Sequence, residues 1–264
     1  MYDFAYQKPA NLGDAVRTLA ADGDAKALAG GMTLIPVLKQ RLNRPSTVVD
    51  LAKLGLSGIT VSGSTVTIGA MTIHAAVADN ADIKAKIPGL QHQASMIGDE
   101  AVRHRGTIGG SLANNDPAAC YPSAVLALGG TIRTNKRSIA ADDYFQGMFT
   151  TALEQGEIIT AVELPIPEKS AYEKFKNPAS RYAIVGVFVA KFPNGVRLAI
   201  TGAGQDGVFR HTEMEKALSA NFSPDAIAGI KTPPDGLNGD IHASPEYRAH
   251  LIGVIARRAV AKAA

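Results

Sequence analysis

The chain has 264 residues, 46% of them hydrophobic and 19% charged, with 27 Lys and Arg against 24 Asp and Glu, a formal net charge of +3. At roughly 150 residues per domain this is one or two domains, too apolar and too little charged for disorder or a coiled coil. The weak, scattered basic excess argues against a nucleic-acid partner, and no apolar run reaches the ~18–20 residues of a membrane span.

The first third reads as alternating helix and strand. Residues 10–21 place Leu12, Ala15, Val16 and Leu19 at helical spacing, with Asn11 as the cap. A short apolar run, 25–29, ends at Gly30-Gly31, and a helix is expected over 32–42. Residues 47–50 form a brief strand, and 62–69 alternate with the period of a half-buried one. Thr72 is the expected cap of a helix over 74–79, and 89–97 is another helix. Residues 98–122 have little periodicity and many small residues, which predicts a buried, ligand-lining loop. A hairpin-like region at 130–140 and a strand at 158–164 follow, closed by Pro165-Ile166-Pro167. That punctuation marks a boundary between parts 1–168 and 169–264. Beyond it, 172–176, 183–192 and 196–201 suggest an antiparallel meander turning at Pro193-Asn194-Gly195, with helices at 213–220, 224–230 and 245–263. In the last of these, Arg248, Arg257, Arg258 and Lys262 are read as complementing the helix dipole.

Two glycine turns stand out: Ala29-Gly30-Gly31-Met32-Thr33 and Thr107-Ile108-Gly109-Gly110-Ser111. Glycine lets a backbone take positive φ and bring its N–H groups against a ligand, and a run of such groups suits a diphosphate. Thr33, Thr107 and Ser111 add hydroxyls. Either turn alone is equally an ordinary tight turn. No GxxxxGK[ST] signature is present and no GxGxxG follows the first strand, which disfavours a P-loop and a Rossmann site. His74 and His104 lack carboxylate or cysteine partners at ligand spacing, so no metal site is expected. No Ser/His/Asp arrangement is legible, and Asp99-Glu100 reads as a helix start.

Taken together, the motifs are more specific. Ala29-Gly30-Gly31-Met32-Thr33-Leu34-Ile35-Pro36, Ile68-Gly69-Ala70-Met71-Thr72, Arg103-His104-Arg105-Gly106-Thr107-Ile108-Gly109-Gly110-Ser111-Leu112-Ala113 and Asp116-Pro117-Ala118-Ala119 follow in that order. This resembles the FAD-binding (medium) subunit of the molybdenum hydroxylases, the family of xanthine dehydrogenase and carbon monoxide dehydrogenase. The resemblance covers nearly the whole chain. It implies an α+β fold: a two-lobed FAD-binding domain of the vanillyl-alcohol-oxidase type, then a smaller C-terminal α+β domain with an antiparallel sheet.

The resemblance also implies a site. Leu28 and the segment Ala29, Gly30, Gly31, Met32, Thr33, Leu34 and Ile35 would wrap the FAD diphosphate. Thr107, Ile108, Gly109, Gly110 and Ser111 would meet it and the ribityl chain from the other side. Ile97 falls at an apolar flavin contact and Ile159 at one near the adenine. Lys176, with Tyr172 and Lys174, lies on the segment approaching the isoalloxazine ring. At one position the family commonly has a cofactor-contacting aspartate, and here Cys120 stands there. Asp116 or Asn115 would have to substitute for it, or the contact is lost.

By the same resemblance no catalytic residue is expected on this chain. FAD would be its only cofactor, with [2Fe–2S] clusters on a small partner and molybdopterin on a large one, as a dimer of heterotrimers. A single cysteine, Cys120, excludes an internal disulfide and a cluster held by this chain alone. With Met1-Tyr2-Asp3-Phe4 showing neither the basic nor the apolar region of a secretory signal, a cytoplasmic location is expected. Two other readings compete. A free-standing FAD-dependent oxidase of the vanillyl-alcohol-oxidase type would be active alone, and a non-redox nucleotide-binding protein would never be yellow.

Overall fold

The computed structural model describes residues 1–263. Asn11 accepts a hydrogen bond from the Asp14 N–H and starts α1 (Leu12–Ala21), which buries Ala15 and Leu19. The helix covers a three-stranded parallel sheet in the order β1 (Ala5–Gln7), β3 (Thr47–Asp50), β2 (Lys26–Leu28). Central β3 is buried at every residue. Ala15, Leu19, Val49, Leu51 and Ile158 make this first small core. After β2 the chain turns at Gly31, with φ +75°, into α2 (Leu34–Lys39). This helix is shorter than the sequence suggests, because Thr33 does not cap it and Arg41, at φ +59°, ends it.

The second lobe is a five-stranded antiparallel sheet ordered β4 (Ile59–Ser62), β5 (Thr65–Gly69), β10 (Ile159–Pro165), β6 (Thr131–Thr134), β7 (Ser138–Ala140). The alternation expected as one strand over 62–69 is a hairpin instead, reversed through Gly63 at φ +55°. Helices α3 (His74–Asp79), α4 (Ala81–Lys86) and α5 (Pro88–Ser95) follow. Thr72 does not cap α3; its hydroxyl exchanges hydrogen bonds with Gly58, and Ile73 occupies the cap position. Residues 98–122 are not a loop throughout. They contain α6 (Glu100–Arg103), capped by Asp99, and α7 (Ile108–Asn114), capped by Thr107; α8 (Tyr121–Ala127) follows. The largest core joins the sheet, α3 to α5, α7 and α8. A short helix, α9 (Ala141–Tyr144), leads into a small hairpin, β8 (Phe145–Gly147) and β9 (Thr150–Thr151).

From residue 169 a second antiparallel sheet runs β11 (Lys169–Lys176), β12 (Ala183–Phe192), β13 (Gly195–Gly204), β14 (Gly207–Arg210). Strand alternation divides its side chains between two cores. Tyr172, Phe188, Ala190 and Ala199 enter the large core of the second lobe. Ala171, Val185, Val187 and Val189 pack instead with α10 (Thr212–Ala220) and α11 (Pro245–Ala263). The expected helix at 224–230 is one 3-10 turn, Pro224–Ile227. Arg248 is not a dipole partner at the end of α11. It lies buried near the start, donating to the Ile184 and Gly202 carbonyls at 2.6 and 2.9 Å and to Asp240 at 2.7 Å. Among the described residues no helix is long and apolar enough to cross a membrane.

Candidate functional site

A cleft of about 820 Å³ opens between the two lobes, with the start of the second sheet at one end. Its walls follow from the two glycine turns, which differ in kind. In the first, the N–H groups of Gly30, Gly31, Met32, Thr33 and Leu34 have no hydrogen-bond acceptor among the described residues. Five consecutive backbone donors on residues lining the cleft are thus left without a partner. Gly31 reverses the chain there with Ile35 folded beneath it; a Cβ at Gly31 would lie 2.6 Å from Ile35 Cδ1. The second turn spends its donors inside the protein. Ile108 N–H bonds Thr72 O, Gly109 N–H bonds Ala70 O, Gly110 N–H bonds Thr107 Oγ1, and Ser111 N–H bonds Thr107 O. What it presents to the cleft is the small-residue face of α7 with the Ser111 side chain. One wall therefore carries backbone N–H groups without partners, and the other small residues of α7.

Both glycines of α7 are dictated by packing: a Cβ at Gly109 would meet Ala70 at 2.6 Å, and one at Gly110 would meet Thr107 Oγ1 at 2.9 Å. The helix ends at Asn115, left-handed at φ +43° and almost fully buried. Its side-chain amide donates to Gly147 O and Thr150 O, holding the β8–β9 hairpin.

Of the expected residues, the structure gathers Ala29, Gly30, Gly31, Met32, Thr33, Leu34, Ile97, Thr107, Gly109, Gly110, Ser111, Asp116, Cys120 and Ile159 around this cleft. Leu28, Ile35, Ile108, Tyr172 and Lys176 do not line it. Ile108 and Tyr172 are core residues without exposure, and Lys176 is exposed at the end of β11. The β11 lysine that does line the cleft is Lys174.

Several lining groups had little or no sequence signal. His74 sits under Gly106, where a Cβ would collide with its Nε2, and its Nδ1 has no partner. Burial, helped by the Arg103 guanidinium, lowers its pKa to about 4, so the ring is neutral at pH 7. Glu157 closes the first-lobe end. Burial pushes its carboxyl up, but Arg137, the Glu154 N–H and the Thr134 hydroxyl together bring it down to about 2. At the other end Tyr182 overhangs the mouth, its phenol pushed up by burial, then by Asp116 and Cys120. Among the described residues, no group of three or more His, Cys, Asp or Glu is arranged to hold a metal ion.

Known proteins share this sequence and architecture. Residues 2–167 match the family described as "FAD binding domain in molybdopterin dehydrogenase". The carbon monoxide dehydrogenase medium chain of Afipia carboxidovorans is 36% identical, over 98% of this chain and 96% of that one. The glyceraldehyde dehydrogenase medium chain of Sulfolobus acidocaldarius is 33% identical, over 97% of each. Among solved structures, a chain of reconstituted CO dehydrogenase from Oligotropha carboxidovorans superposes with TM-score 0.90 at 33% identity, covering 99% of this chain and 98% of that one. Fold and cleft thus define an FAD-binding component of an oxidoreductase. The chain belongs to the FAD-binding medium subunits of the molybdenum hydroxylases.

Proposed function

We propose that this subunit relays electrons, accepting them from [2Fe–2S] clusters on a small partner and delivering them to an external acceptor, while substrate is oxidised at the molybdopterin of a large partner. The observation that carries the reading is the run of five free N–H groups, Gly30 to Leu34, on one wall of a cleft of about 820 Å³. Such a wall fits the diphosphate of FAD. In this reading Ala29 to Leu34 hold the diphosphate, Thr107, Gly110 and Ser111 face it across the cleft, and Ile159 lines the end taken by the adenine. Bound FAD supplies chemistry that couples one-electron donors to acceptors that take electrons singly or in pairs. The chain's own residues bind it, exclude water and leave one edge open near Tyr182.

Cys120 is the only cysteine, so cluster ligands must come from another chain. This supports a heteromeric assembly, which we take to be a dimer of heterotrimers in the cytoplasm, built from the two parts 1–168 and 169–264. The test is spectral. The purified chain, supplied with FAD, is expected to bind one flavin and to oxidise no small organic substrate alone. Addition of the reduced iron–sulfur partner should then bleach the flavin. A chain that binds no FAD, or one that oxidises substrates without partners, overturns the proposal.

A further inference from the structure

Strand β11 turns Tyr172, Lys174 and Lys176 to one face, and the middle residue is the unusual one. Lys174 is 8% exposed. Its Nζ has three acceptors: Met96 O at 2.9 Å, Arg181 O at 2.9 Å and Cys120 Sγ at 3.5 Å. Three acceptors use all three N–H groups of an ammonium, one more than a neutral amine carries. The hydrogen bonds are satisfied, but none of the partners is a carboxylate. Glu173, next in sequence, points to the opposite face and pairs with Lys262. Asp99, Asp116 and Glu157 line the same cleft, but none lies in ion-pair contact with Lys174, and Glu157 pairs with Arg137. The nearby Arg181 and Lys176 add no negative charge. A buried cation is ordinarily matched by an anion, and here Lys174 and Cys120 both line the ligand cleft.

We infer that Lys174, set against Cys120 rather than a carboxylate, is an uncompensated positive centre that favours the reduced form of the bound flavin. This rests on the FAD reading above. A flavin that takes up two electrons and one proton gains one negative charge, and a fixed positive charge in a poorly solvated cleft stabilises that state over the oxidised one. With its donors all engaged, Lys174 acts through its field rather than by touching the ring. It is therefore a positioning residue for charge, not a catalytic one. The acceptor at 3.5 Å sets the size of the effect: a neutral side chain there leaves the field intact, and a carboxylate cancels it.

The experiment is a reductive titration of the FAD-loaded chain with dithionite against a reference dye. Lys174→Met removes the charge, Cys120→Asp neutralises it in place, and Cys120→Ser keeps a neutral acceptor. All three are expected to retain one FAD. In the first two, the ratio of affinities for reduced and oxidised flavin should fall at least tenfold, a potential ~30 mV more negative for a two-electron couple. Cys120→Ser should match the unsubstituted chain. If Lys174→Met fails to fold, because it strands two carbonyls, Cys120→Asp decides. An unchanged potential in FAD-loaded Cys120→Asp overturns the inference. So does a rise in potential in Cys120→Ser, which would show that the thiol already supplied the compensating charge. An unsubstituted chain that binds no FAD removes the parent reading and this one together.

Discussion

Gly30 lies directly against the carbonyl of Arg105: a Cβ built on it would overlap that oxygen and crowd Gly106 Cα at 2.8 Å. At this point the two lobes of the cleft therefore meet backbone to backbone. Gly30→Ala is expected to cost about 2–3 kcal/mol, since the atom opposite cannot swing away, and to release FAD. Gly253, in the middle of α11, has open space where a Cβ would stand, with nothing within 4 Å, so Gly253→Ala should stabilise by about 0.5–1 kcal/mol. Urea unfolding of both variants checks the pair; equal effects would mean that the lobes do not meet as described.

Gly110→Val should also lose flavin, by way of the helix. Thr107 Oγ1 accepts the Gly110 N–H at 3.1 Å, and a Cβ at Gly110 would press on that oxygen and on Ala29. Thr107→Val keeps the shape and removes only the cap, at a cost of about 1 kcal/mol. Its flavin content should remain near one per chain while Gly110→Val falls to none, as read by absorbance after gel filtration.

Acid should weaken the fold in two separable steps. His74 is depressed to about 4 in the folded protein, against about 6.5 unfolded. The unfolded chain thus binds more protons between these values, and stability drops as pH falls from 6.5 to 4, by up to about 3 kcal/mol. Glu157, held at about 2, contributes stability above its unfolded value, lost as pH falls from about 4.3 towards 2. Urea titrations from pH 7 to pH 2 should show His74→Gln flattening the upper step and leaving the lower one unchanged.

Arg248 bridges β12, β13 and Asp240 from inside α11. Arg248→Met leaves the Ile184 and Gly202 carbonyls without their donor and is expected to cost about 2–4 kcal/mol. Thermal unfolding measures it. A loss below about 0.5 kcal/mol would indicate that water replaces the guanidinium.

Legibility from sequence followed the range of the interactions. The α1 cap at Asn11 and the meander after residue 168 depend on neighbours, and the pattern displays them. Residues 98–122 misled because Gly109 and Gly110 are poor helix formers. What secures α7 is the Thr107 cap and the acceptors Thr72 O and Ala70 O, contributed by a turn more than thirty residues earlier. The same long-range bonds explain why one glycine turn keeps its N–H groups free and the other does not, a difference that similar motifs conceal. Lys174 was overshadowed by Lys176 for a related reason. Their alternation is visible, but burial of the first depends on Met96 and Arg181 closing over it.

The segment matched by the family description is smaller than the part that builds the cleft. The family match ends at residue 167, yet Tyr172, Phe188, Ala190 and Ala199 complete the largest core, and Lys174, Arg181 and Tyr182 finish the cleft. A fragment cut at that boundary would expose an apolar floor where these four side chains had been and leave its pocket missing an end wall. The near face of β11 to β13 packs into the core of the second lobe, and the far face packs with α10 and α11. Residues on both sides of that boundary therefore share one interior.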